Sequence, residues 1–152
     1  MGLYLATLEW SRQPADDFPR GQYSRAHRIR FDGGIDILAS ASPGVVGKWA
    51  DPAGVDPEEM FVAALSSCHM LTFLDKARRA GFMALRYVDT AEGLLAEISP
   101  GRRGMTEVVL RPVIDWEGTP PTASEVEALH HAAHEDCFIA NSVTTKVTVA
   151  AR

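Results

Sequence analysis

Two cysteines, Cys68 and Cys137, are the residues of this 152-residue chain best suited to chemistry of their own. A thiolate is a strong nucleophile, and two thiols brought together can cycle between dithiol and disulfide. The alternative is an inert role, because free cysteine is among the most buried residue types and packs as a small hydrophobe. Cys68 falls about three turns into a predicted helix, where the favourable field of the helix N-terminus has faded. A thiolate there needs a separate cation. Arg25 is a candidate, with Arg28 and His27 as fallbacks, and Glu58 could hold such an arginine by a bidentate pair. Each has a plainer role too: Arg25 as a solvated strand residue, Glu58 as a first-turn carboxylate favoured by the helix dipole. Near the second cysteine, His130, His134 and Cys137 are spaced four and three apart and share one helix face. A zinc ion there would need a further ligand, and neither HExxH nor a CxxC pair occurs.

The element that must position Cys68 runs from Asp56 to Gly81. Asp56 suits the N-cap, Pro57 the first helical position, Glu59 completes a capping box and Gly81 supplies the stop. Met60 to Leu65 is apolar at every position, which predicts a helix buried all round. A chain of this length is small for such a helix, so a partner subunit is expected.

Upstream, Leu3 to Trp10 reads as a strand, and Tyr23 to Phe31 with Ile35 to Ser40 as a hairpin about Asp32-Gly33-Gly34. Alternation puts Arg25 and His27 on one face of its first arm and Arg28 and Arg30 on the other. Residues 41–55 carry three Gly and two Pro and read as a long loop, in which Trp49 either walls a pocket or pins the loop to the core. Downstream, Met83 to Ile98 is an extended segment with a bulge near Gly93, turning at SPGRRG into Met105 to Trp116. Pro112 points to an edge or a bulge. A second helix opens in GTPPTASEVEAL and runs to about Cys137, and Ser142 to Ala150 alternates as a half-buried strand with Val143, Thr145, Val147 and Val149 on one face. This order lacks regular βαβ alternation and predicts a single α+β domain over 1–152, with mostly antiparallel sheet around a long central helix.

Composition narrows the function. Hydrophobic residues make up 46% and charged residues 23%, with a formal charge of -5 and no cluster of Lys and Arg, which argues against a general nucleic-acid binder. No secretory signal and no apolar run long enough to span a membrane is read, so the expected compartment is the reducing cytoplasm, where two cysteines read as a reactive pair or as core residues rather than a permanent bridge.

The run DPEEMFVAALSSC and the later AHEDCFIANS together resemble the OsmC/Ohr family, the osmotically inducible and organic hydroperoxide resistance proteins. The family pattern has Asp or Asn, Pro and Glu, then a cysteine ten residues after that Glu, and later a second cysteine with His-Glu before it and Asn after it. Glu58 to Cys68 has that spacing, and His134, Glu135, Cys137 and Asn141 match the second element. The resemblance implies an OsmC-like intertwined homodimer and a thiol peroxidase for organic hydroperoxides, sometimes also hydrogen peroxide. It makes Cys68 the peroxidatic thiolate, Cys137 the resolving thiol, Arg25 the activating cation and Glu58 its positioning partner. It implies reduction by an external dithiol or lipoyl group, without flavin, haem or metal. Ten helical residues rise about 15 Å, so Glu58 and Cys68 can serve one site only if the helix breaks or Glu58 comes from the other subunit. The readings from other classes are a His/Cys metal-binding protein and a non-catalytic dimer carrying a small hydrophobic ligand.

Overall fold

The computed structural model describes residues 2–150, which divide into two compact units, one up to Met60 and one from Phe61 onward. In the first, β1 (Ala6–Glu9), β2 (His27–Phe31) and β3 (Asp36–Ala39) form an antiparallel sheet in the order β1-β2-β3. The register pairs His27 with Ala39 and Arg30 with Asp36. The hairpin closes as expected from Asp32-Gly33-Gly34, with Gly34 at φ 85, a conformation glycine adopts without strain. The predicted first strand is longer than the observed one, and the first arm of the hairpin starts only at His27. Arg25 therefore lies outside the strand, and the alternation argument does not place it. Residues 41–55 are not structureless: α1 (Pro43–Val46), capped by Ser42, runs into a 3-10 turn at Gly47–Trp49.

The long helix is α2 (Pro57–Arg79), unbroken over its 23 residues. Its capping box forms as the sequence predicts, Asp56 accepting from the Glu59 amide at 2.8 Å and Glu59 from the Asp56 amide at 3.0 Å. It then stops at Gly81, φ 87.

In the second unit, β4 (Met83–Asp89) pairs with β7 (Pro112–Glu117), while β5 (Glu92–Ser99) pairs antiparallel with β6 (Arg102–Leu110). The single extended segment expected from Met83 to Ile98 is thus two strands in different sheets. Asp89 and Pro112 mark the division, Pro112 taking the first position of β7, where its missing N–H costs no ladder bond. The bulge expected near Gly93 lies one to two residues on, between Leu94 and Leu95. Gly93 itself is required by close packing: a Cβ there would come within 2.5 Å of Val62 and of Met105. The last strand, β8 (Lys146–Val149), joins β6 in parallel, the one departure from antiparallel pairing among these described strands. Before it comes α3 (Ala123–Asp136), with Thr122 and Glu125 in a complete capping box.

Two apolar clusters organise this unit. Leu65 of α2 packs with Val108 and Leu110 of β6, and Val143, Val147 and Val149 of the predicted half-buried face close over them. About two to three turns further along α2, Phe73 and Ala77 pack with Leu129 and Ala133 of α3. The fully buried positions of α2 are Leu65, His69, Phe73 and Ala77, a single stripe of four-residue spacing. A helix buried on every side is therefore not what one chain builds: Ala63, Ala64 and Ser67 are exposed, and Leu71 is 61% exposed. One chain has only enough mass to cover one side of the rod.

Phe73 has no solvent exposure and joins α2 to α3, so Phe73→Ala should cost about 3–5 kcal/mol, read as a lower urea midpoint at unchanged slope.

Candidate active site

Cys68 and Cys137 come from the two helices that this core holds together. Cys68 lies on α2, half-buried, one residue before the inward-facing His69, and its carbonyl accepts a hydrogen bond from the Thr72 hydroxyl at 2.9 Å. Cys137 caps the C-terminus of α3 and is 1% exposed. Its sulfur accepts from the Ala140 amide at 3.5 Å. Both are free thiols. The Cys137 thiol is raised above the ordinary range, first by burial and then by hydrogen bonding and charge repulsion from the Cys68 sulfur. The Cys68 sulfur, 69 residues away in sequence, is thus among the groups that raise the Cys137 thiol. The packing also makes them unequal, one half-open to solvent and one enclosed.

The other two predicted site residues belong to the first unit. Arg25 lies over the Tyr23 ring, 3.4 Å from its centroid, and donates to the carbonyls of Tyr23 and Gly21. Its own amide is anchored to the Trp49 carbonyl at 2.9 Å. A guanidinium stacked and bonded in this way is held in a fixed orientation. With Trp10, Phe18, Tyr23 and His27 it lines an open groove of about 430 Å³. Among the described residues Arg25 forms no ion pair, so the pairing with Glu58 is not made within one chain. Glu58 is half-buried in the first turn of α2. Because that helix is unbroken, the ten residues from Glu58 to Cys68 amount to about 15 Å of rise along it.

The fallback arginine is otherwise engaged. Arg28 pairs with Asp36 at 2.8 Å, and Arg30 bridges Asp36 and Glu9, a solvated ionic face on the small sheet. Trp49 is half-buried at the 3-10 turn, with the Lys48 ammonium 5.0 Å from its ring centroid.

The histidines behave differently from a metal site. Among the described residues no group of three or more His, Cys, Asp or Glu side chains is arranged to hold a metal ion. His130 instead turns to His69, the two rings nearly coplanar with centroids 5.2 Å apart and joined edge to edge by a 2.9 Å contact between His69 Nε2 and His130 Nδ1. Both imidazoles are pushed down to about 4. For His69 the cause is burial, then repulsion from His130 and His134, with Asp89 opposing; for His130 it is burial, again opposed by Asp89. Asp89 is itself tied across the fold, accepting from the Ser66 hydroxyl at 2.5 Å and the Arg111 amide at 2.6 Å, and so fixes α2 to the start of β7. Neither His69 nor Asp89 stood out in the sequence. The signal for His69 was there in the spacing Leu65, His69, Phe73, Ala77, which marks it as inward-facing; nothing local marks Asp89.

Residues 50–152 match the family model described as OsmC-like protein. The chain belongs to the OsmC-like family. Glu58, Cys68 and Cys137 fall inside the matched region and Arg25 outside it. An OsmC-like protein of unknown function from Vibrio cholerae is 50% identical over 99% of both chains, with a TM-score of 0.94. An organic hydroperoxide resistance protein from Elizabethkingia anophelis shares the fold at 22% identity and a TM-score of 0.73, covering 100% of this chain and 98% of that one. One from Bacillus subtilis does so at 17% identity and a TM-score of 0.66, covering 97% and 96%. None of the curated proteins matches the chain. No described helix is long and apolar enough to cross a membrane.

Two pH dependences follow. Alkylation of Cys137 in the folded protein should be displaced to higher pH than that of an exposed thiol, with part of the displacement lost in Cys68→Ser; peptide mass spectrometry after timed labelling reads both. For the histidines, the unfolded chain binds protons near pH 6.5 while the folded pair resists until about 4. Stability should therefore fall as pH drops through that window and level off below it, and the fall should shrink in a His69→Gln/His130→Gln double variant, measured by urea unfolding.

Proposed function

We propose that this protein is a cysteine-based peroxidase that reduces organic hydroperoxides to alcohols, with Cys68 as attacking thiolate and Cys137 as resolving thiol. The observation that carries the reading is the interaction of a half-exposed Cys68 with an enclosed Cys137. The Cys68 thiolate attacks the terminal peroxide oxygen, the O–O bond breaks, and the departing alkoxide takes up a proton to leave as alcohol. Cys68 is then a sulfenic acid. The Cys137 sulfur attacks it, water leaves, and a disulfide joins the two residues. An external dithiol, of the lipoyl type, returns both to thiols and is itself oxidised to its disulfide. Such a cycle suits a reducing compartment such as the cytoplasm.

The half-buried position of Cys68 agrees with its being the residue that meets substrate, and the raised pKa of Cys137 with its waiting as a protonated thiol. Arg25 is the proposed activating cation, supported by its fixed stacking on Tyr23. Glu58 is the proposed group that orients it. The working unit is a homodimer, supported by the exposed side of α2 at Ala63, Ala64 and Leu71, which a second copy would cover. Glu58 is proposed to act in trans on the partner's thiol site, a reading supported by the unbroken helix that separates it from Cys68 of its own chain.

Purified protein should consume cumene hydroperoxide at the expense of dihydrolipoamide. Cys68→Ser should abolish turnover, and Cys137→Ser should complete one turnover and leave a sulfenic acid that dimedone traps. Equal multiple-turnover rates for Cys137→Ser and the parent would remove its resolving role. Mixed dimers of Glu58→Ala and Cys68→Ser chains should keep one intact site in two; well-folded mixed dimers without activity would rule out action in trans.

A further inference from the structure

His130 also lines a cavity of about 510 Å³, within the size range of roughly 300–1,000 Å³ usual for small-molecule sites. Its walls include Pro112, Pro121, Val126 and Val149, and its polar groups include Glu127 and the imidazole of His130. That imidazole is held twice, stacked on Phe73 at 4.3 Å and bonded edge to edge with His69, the two rings nearly coplanar at 5.2 Å between centroids. Its Nδ1 is engaged with His69, so Nε2 is the atom left to face a ligand.

The tautomer follows from the buried end of the pair. His69 is 1% exposed and its Nδ1 has no partner. If His130 donated the bridging hydrogen, His69 Nδ1 would carry an orphaned N–H, the rarer and costlier kind of unsatisfied group. With His69 Nε2–H donating, its Nδ1 is only an unused acceptor, and His130 presents Nε2–H to the cavity. A low proton affinity keeps this donor uncharged at neutral pH. Among the described residues no Lys or Arg lines the cavity, while Glu127 does, so a carboxylate meets a charge of its own sign there.

We propose that this cavity binds a neutral small molecule with an apolar body and an acceptor oxygen, such as a ketone, aldehyde or ester, held by the His130 Nε2–H. His69 is the positioning residue: it fixes the tautomer and the ring without touching the ligand. This also accounts for a buried and a half-buried imidazole where a pair of leucines would pack without an unsatisfied nitrogen. The site uses neither cysteine, so it stands or falls separately from the peroxidase reading.

The test is titration of the Cys68→Ser protein, which is peroxidase-dead by design, with 2-octanone, followed by calorimetry and by long-range proton–nitrogen NMR of the imidazoles. The free protein should show His130 protonated on Nε2, and the ketone should bind at one per chain and shift that resonance. Octanoate should bind at least about tenfold more weakly, and His130→Phe should weaken the ketone by about tenfold, the worth of one buried hydrogen bond. Val126→Trp, which fills the cavity and leaves the histidine pair intact, should abolish binding. The proposal is overturned if 2-octanone does not saturate, if binding survives Val126→Trp, or if His130 carries its proton on Nδ1 in the free protein.

Discussion

The structure depends on one packing event, the seating of the Leu65, His69, Phe73 and Ala77 stripe of α2 between the β5-β6-β8 sheet and α3. Phe73 and Ala77 meet Leu129 and Ala133, and that contact sets where the end of α3 falls. Cys137 is the residue at that end, and Cys68 is one residue away from the stripe. The encounter of the two sulfurs is thus a by-product of apolar burial. Burying one full Phe or Leu side chain is worth about 1.5–3 kcal/mol, more than two thiols could contribute by contact alone.

The same event leaves α2 half-dressed. A continuous apolar run from Met60 to Leu65 has more hydrophobic circumference than one chain covers, and Ala63, Ala64 and Leu71 remain outside. In a helix this apolar the uncovered side is as much a part of the design as the covered one. The two compact units differ in what they offer: the first holds a rigidly stacked Arg25 beside an aromatic groove, and the second holds the thiol pair.

Polar burial in the second unit is concentrated around Asp89, His69 and His130. Asp89 accepts two short hydrogen bonds from groups far away in sequence and lies near enough to oppose the depressed pKa of both imidazoles. Such a network is costly unless its members are paired, and here one nitrogen of His69 and the Tyr87 hydroxyl stay without partners. Burial, aided by Asp89, holds that tyrosine hydroxyl well above its usual range.

Local rules carried much of the fold. Both capping boxes, the turn at Asp32-Gly33-Gly34, the stop at Gly81 and the inward face of Val143, Val147 and Val149 are written in short-range patterns, because caps and turns involve residues a few positions apart. The spacing of Glu58 and Cys68, together with His134, Glu135 and Asn141 around Cys137, was enough to suggest the family. Periodicity could not divide Met83 to Asp89 from Glu92 to Ser99, since both runs read as strand and only their partners differ. Nor could it place Arg25 just outside β2. Which side of α2 is covered, which sulfur is enclosed and how the imidazoles pair were decided only in three dimensions, because burial is a property of what packs from elsewhere in the chain.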